Sequence, residues 1–199
     1  MYNKSLVTIS QILDAAQQLF IVKNYDDITM VEIARTANVT KGAIYHHING
    51  KEALFLKMMV RYLDRLQVRL QMAVDTGGTA RERLTQLTTL YLSMPLEDQR
   101  VVQLVRRDSN RFTGETRDKL VAAYQNALPN QIESIIADGI TAGDVATGDA
   151  RLMAWHYVAI VEVSLTAYAR NQFADAGAMA AYTTNVFLDG VGARMNMVA

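Results

Sequence analysis

Cysteine is absent from the 199 residues, which excludes disulfides, thiolate metal clusters and a cysteine nucleophile and leaves a reducing, cytoplasmic setting as the expectation. Proline occurs only at positions 95 and 129, so helices can run long between them. Strand-like alternation is scarce; apolar residues recur instead at three-and-four spacing, the period of a helix. There are three histidines, no paired carboxylates on one helical face and no phosphate-cradling glycine loop, so we expect neither an enzyme nor a cofactor. The opening MYNKSLVTIS lacks the apolar core of a secretion signal, which is therefore not expected. The most membrane-like run, LMAWHYVAIVEVSLTAYA (Leu152 to Ala169), carries His156 and Glu162, both costly in hydrocarbon, and no membrane span is expected.

What is present is an all-α pattern. Half of the residues are apolar, enough for one sizeable core and a satellite, hence one or two domains. Charge balances overall but not locally: residues 1–119 carry 17 Lys and Arg against 13 Asp and Glu, and residues 120–199 carry 3 against 7. Only the front favours a polyanion, and modestly.

Capping residues sharpen the helix starts. Thr29, Asn49 and Thr79 each stand three positions before a glutamate, at 32, 52 and 82, the spacing at which both side chains can satisfy exposed amides. The pattern predicts helices at about 6–22, 30–37, 41–47, 51–75, 80–93, 96–109, 115–142, 149–171 and 176–193. Pro129 should kink or split the seventh. Asp75 to Thr79 (DTGGT) is a breaker. The chain divides near residue 50, giving expected domains of 1–50 and 51–199.

The informative stretch is TMVEIARTANVTKGAIYHHI, Thr29 to Ile48. Helix one offers a stripe of Ile9, Ile12, Leu13, Ala16, Leu19 and Phe20 to cover it. The second stripe runs through Ile33, Ala34, Ala37, Val39, Ile44 and Ile48, with Ala34 small where two helices cross. Asn38 falls where the backbone must turn left-handed, and Thr40 caps the next helix. This is a helix-turn-helix by pattern and by mechanism. Adjacent histidines at 46 and 47 point about 100° apart, and no Asp or Glu stands at helical offsets on the same face, which argues against a metal site.

The segment TISQILDAAQQLF…NYDDITMVEIARTANVTKGAIYHHINGKEALF resembles the DNA-binding domain of TetR-type (TetR/AcrR) transcriptional regulators over about residues 6–56. Asn24 and Asn38 stand where that family usually has glycine, Ile48 where it usually has phenylalanine, and the N-terminal arm offers only Lys4. The resemblance implies a three-helix DNA-binding domain joined through a long fourth helix to a larger helical domain for ligand binding and dimerisation. It places Thr29, Thr40, Lys41, Gly42, Ala43, Tyr45, His46 and Lys51 at DNA; their chemistry agrees, since the amides opening the third helix suit phosphate, small side chains permit close approach to bases, and hydroxyl, imidazole and ammonium groups can donate to phosphate. His47 is expected to pack or bond locally.

For the larger domain, the expectation is a homodimer formed through the helices near 149–171 and 176–193. The expected effector pocket draws on Tyr91, Met94, Phe112, Tyr124 and Trp155. Glu162 and His156 need polar partners, either an internal or cross-subunit bond or an effector group. The arginines of VVQLVRRDSNRF, Val101 to Phe112, are expected to face solvent. The function expected is a ligand-responsive regulator, a repressor of a palindromic operator, with an unknown small-molecule effector acting through helix four. Two alternatives stand: a helical ligand-binding or interaction module that does not bind DNA, and a helical metal-dependent enzyme using the histidines, Glu162 or Asp108.

Overall fold

The computed structural model describes the backbone of residues 2–191 and the side chains of residues 6–191. The side chain of Lys4, and residues 192–193 of the last expected helix, lie outside the described residues. Among the described residues there are eleven α-helices, one 3-10 turn and no strand. They are α1 (Tyr2–Val22), α2 (Met30–Thr36), α3 (Lys41–His47), α4 (Gly50–Asp75), α5 (Ala80–Leu92), α6 (Leu96–Asp108) with the 3-10 turn Ser109–Arg111, α7 (Gly114–Ala127), α8 (Pro129–Ala142), α9 (Ala150–Ser164), α10 (Ala167–Arg170) and α11 (Ala176–Asp189). Two compact units form: Met1–Leu66 with Pro95–Gln125, and Gln67–Met94 with Asn126–Ala199. The line between them crosses α4 and α7.

In the first unit α1 packs on α2, α3 and α6. Its stripe buries Ile12, Leu13, Ala16 and Phe20, while Ile9 and Leu19 stay half-buried. Ile33, Ala34, Ala37, Ile44 and Ile48 are buried as the spacing requires, and Val39 only partly. Behind them α4 contributes Leu54, Phe55, Met58, Met59 and Leu63, all fully covered. Phe20, Tyr25, Phe55 and Phe112 form an aromatic cluster: Phe55 meets Phe20 edge-on at 4.9 Å and stacks on Phe112 at 5.3 Å, and Tyr25 meets Phe112 edge-on at 5.3 Å. Such contacts add direction to burial.

In the second unit α5 packs on α8 and α11, and α9 on α8 and α11. Thr79 and Glu82 close the capping box at the start of α5, and Asp144 adds a carboxylate to the Ala80 amide at 3.3 Å. The approach of α5 to α8 requires a glycine at 139, where a Cβ would lie 2.6 Å from that of Ala80. A polar knot sits at the crossing of α5, α9 and α11: the Tyr157 hydroxyl lies 2.6 Å from Thr88 Oγ1 and 2.8 Å from Thr184 Oγ1. Burial pushes the pKa of the Tyr157 hydroxyl up, and both threonine hydroxyls pull the other way.

Three boundaries differ from expectation, and at Pro129 the second of the two expected outcomes, a split, is found. Pro129 splits the long helix outright, because it can start α8 without an amide hydrogen but cannot continue α7. The helix expected at 149–171 breaks after Ser164: the Thr166 hydroxyl donates to the Val163 carbonyl and accepts from the Ala169 amide, ending α9 and starting α10. The last helix stops at Asp189 before Gly190, whose φ is 73°. Helix α1 begins earlier, at Tyr2. No helix among the described residues is long and apolar enough to cross a membrane.

Candidate nucleic-acid interface

The turn between α2 and α3 is held by short-range bonds. Asn38 adopts φ 53°, as its tolerance of left-handed backbone allows. Its amide donates to the Arg35 carbonyl at 3.1 Å, and that of Val39 to Ala34 at 3.0 Å. Asn24, the other asparagine at a family glycine, does not share this backbone; its side-chain amide donates to Asp27 at 3.4 Å instead. Thr40 then caps α3 by accepting from the Ala43 amide at 3.1 Å. Thr29 caps α2 in the same way, from Glu32 at 3.1 Å. The Glu32 side chain is drawn chiefly to Lys23 and, less strongly, back to the Thr29 amide. Its carboxylate meets Lys23 at 2.6 Å, which holds its pKa below the usual carboxylate range.

Helix α3 has two faces. Ile44 points inward and is fully buried, whereas Lys41, Gly42, Tyr45 and His46 are exposed and Ala43 and His47 half-buried. The Lys41 ammonium lies 5.6 Å from the centre of the Tyr45 ring, and the rings of His46 and His47 meet edge-on at 4.8 Å. The resulting ridge of ammonium, phenol and imidazole has a small-residue edge at Gly42 and Ala43, which suits a groove with phosphates along its rim. The Ala43 amide is already engaged by Thr40. Among the described residues no group of three or more His, Cys, Asp and Glu is placed to hold a metal.

Lys51 is placed differently from the other candidates. Its ammonium donates to the carbonyls of Tyr25 at 2.8 Å, Ile28 at 2.9 Å and Asp26 at 3.4 Å, and lies 4.4 Å from the centre of the Tyr25 ring.

Residues 12–58 match the model for bacterial regulatory proteins of the tetR family, and residues 77–189, more than half of the chain, match the tetracyclin repressor-like C-terminal domain. The chain belongs to the TetR family of bacterial regulatory proteins. A curated relative, the fatty acid metabolism regulator protein of Bacillus subtilis (strain 168), is 25% identical over 165 residues, 81% of this chain and 83% of its own. The crystal structure of the transcriptional regulator FadR from Bacillus subtilis in complex with stearoyl-CoA superposes with a TM-score of 0.78 at 22% identity, covering 92% of this chain and 99% of that one. The structure of AibR in complex with isovaleryl coenzyme A and operator DNA superposes with a TM-score of 0.76 at 20% identity, covering 91% of this chain and 98% of that one. These likenesses establish the all-helical fold, and membership of the family makes this TetR-family chain a DNA-binding transcriptional regulator.

The five residues expected around an effector fall into both units of this TetR-family chain: Tyr91, Met94 and Trp155 in the second, Phe112 and Tyr124 in the first. Phe112 belongs to the aromatic cluster with Phe55 and Tyr25. Tyr91, Met94 and Tyr124 are buried, and Trp155 is 36% exposed. Burial raises the pKa of the Tyr124 hydroxyl. On α9, His156 is exposed and Glu162 half-buried.

Two of the arginines expected in solvent are exposed and are at the same time tied into the first unit. Asp108 is 1% exposed and receives Arg107 at 2.7 Å and Arg111 at 3.2 Å. Arg107 also donates to the carbonyls of Phe20 and Lys23, both at 3.3 Å, and Arg111 pairs with Asp26. A buried acid attracts its counterions, and two arginines at −1 and +3 were the available signal. The reach of Arg107 to the end of α1 had none.

Proposed function

We propose that this regulator is a homodimeric repressor that reads a palindromic operator with α3 and is released by a small-molecule effector. The observation that carries the reading is the two-faced α3, with Ile44 buried and Lys41, Tyr45 and His46 exposed. Thr29, Thr40, Gly42 and Ala43 join them at DNA, and residues 1–50 serve as the reading head. Residues 51–199 serve effector binding and pairing. Tyr91, Met94 and Trp155, all of the second unit, are the effector-side residues we retain; Tyr124 and Phe112 lie in the first, Phe112 within its aromatic cluster.

Pairing is proposed through α9 and α11. Leu152, Trp155, Ala159 and Val163 line one exposed side of α9, and Ala178 and Tyr182 one exposed side of α11. Exposed apolar stripes of this length mark association surfaces, and a two-fold pair presents two reading helices to half-sites about one helical turn apart. The effector class supported by the relatives is an acyl-coenzyme A thioester, since stearoyl-CoA and isovaleryl coenzyme A accompany two structures of the same fold. Such a DNA-bound regulator works in the cytoplasm. Continuous α4 is the lever we assign between effector and reading head.

Selection of duplexes by the purified protein tests the reading. An inverted repeat should be recovered, its affinity should fall steeply with salt, and acyl-CoAs of graded chain length should release it. Binding that is absent, or flat with salt, would leave the non-DNA ligand-binding module as the better reading.

A further inference from the structure

The start of α4 carries a detail that the general reading of the head does not use. An ammonium has three N–H donors and no acceptor. Lys51 directs its donors at three backbone carbonyls, two at 2.8 and 2.9 Å and one at 3.4 Å, and sits over the face of Tyr25. The group is half-buried. A cation in the first turn of a helix also faces the positive end of that helix's dipole, which the ring of carbonyl oxygens offsets. Lys41, by contrast, is exposed and lies only against the Tyr45 ring.

The three carbonyls are not scattered. They belong to Tyr25, Asp26 and Ile28, and the next residue is Thr29, the cap of α2. One ammonium thus ties the segment entering α2 to the first turn of α4, and α3 lies between those two points in the chain. Resting on the DNA-binding reading above, we propose that Lys51 is a positioning residue: it fixes the entry of α2 against the start of α4 and so sets the pose of α3, without itself ligating phosphate.

Two variants separate this from a phosphate contact. Lys51→Met keeps the stem and removes the charge. Lys51→Arg keeps the charge but replaces a point donor by a planar fork that does not fit three converging carbonyls. Affinity for the selected inverted repeat and for a mixed-sequence duplex is measured over a salt series, well below each variant's melting midpoint, with Lys41→Ala alongside. Both Lys51 variants should bind both duplexes about tenfold more weakly with the wild-type salt slope, while Lys41→Ala, which removes one phosphate contact from each of the two heads, should flatten the slope by about 1.8. If Lys51→Met flattens the slope like Lys41→Ala and Lys51→Arg binds like wild type, Lys51 is a phosphate ligand and the proposal is overturned. Folded variants that bind as tightly as wild type would also overturn it, leaving a contribution to stability alone. A wild-type protein with no salt dependence would instead bring down the DNA-binding reading, and the proposal with it. Should Lys51→Met not fold, Lys51→Arg decides alone, since a phosphate contact tolerates it and the carbonyl ring does not.

Discussion

Tyr25 shows how much one side chain outside any regular helix can organise. Its ring stacks on Phe20 at 5.7 Å and meets Phe55 at 5.5 Å and Phe112 at 5.3 Å, with the Lys51 ammonium on its face. Burial first, then the negative charges of Glu52 and Asp26, push its hydroxyl up to about 12 from the ordinary 10.0, against the pull of Arg111. The folded state therefore holds this proton more tightly than the unfolded chain. The resulting stability is fully present below the unfolded value and is lost as pH rises from there through about 12. Tyr25→Phe has no proton to lose, so its melting temperature should decline less steeply than that of wild type across this window. Other buried tyrosines, Tyr124 and Tyr157, keep part of the decline in both proteins. Parallel curves for wild type and Tyr25→Phe would show that the phenol is not held as described.

At the level of elements, what was legible in the sequence was local. Thr40, Asn38 and Thr79 declare helix starts and a left-handed turn through neighbours no more than a few residues away, and α3 runs from Lys41 to His47 as its spacing predicts. Long-range ties were not legible. Lys51 reads as a DNA-facing cation until its partners, 23 to 26 positions earlier, are in place. Arg107 meets carbonyls 84 and 87 positions away. The effector side was least legible, because aromatic residues at helical spacing fit a core and a cavity equally well. Phe112 turned out to complete the cluster of the first unit.

The hook at the end of α6 makes the energetic difference between local and long-range ties measurable. Asp108 is buried and is shared by Arg107 and Arg111, whose side chains are themselves about 40% exposed. Asp108→Ala removes the shared acid and leaves the near side of both cations uncompensated. A fully buried pair would lose more, so a cost of about 2 kcal/mol in urea unfolding is the discounted expectation. Asp26, whose side chain is 67% exposed, should matter far less: Asp26→Ala should be hard to distinguish from wild type. If the two substitutions cost the same, the burial of Asp108 is not what holds the hook.

For the whole molecule, the decisive quantity is the distance between two reading heads rather than the strength of one. A single α3 presents a few donors to the few base pairs of one half-site. Two heads on a rigid pair gain the second contact at high effective concentration, an advantage of about 100-fold to 10,000-fold. Val163 tests this without disturbing the fold, because it is 64% exposed on α9 while Ala154, Tyr157, Val158 and Val161 of the same helix face the core. Val163→Glu places a charge in each half of the proposed two-fold face, so the cost of desolvating it and the lost apolar contact add. The variant should sediment as a monomer with unchanged helix content. Its affinity for the inverted repeat should fall at least about 100-fold, while its affinity for an isolated half-site should stay near that of wild type. Loss of both affinities together would mean that the substitution reached the reading head. A dimer that persists would move the pairing surface away from α9.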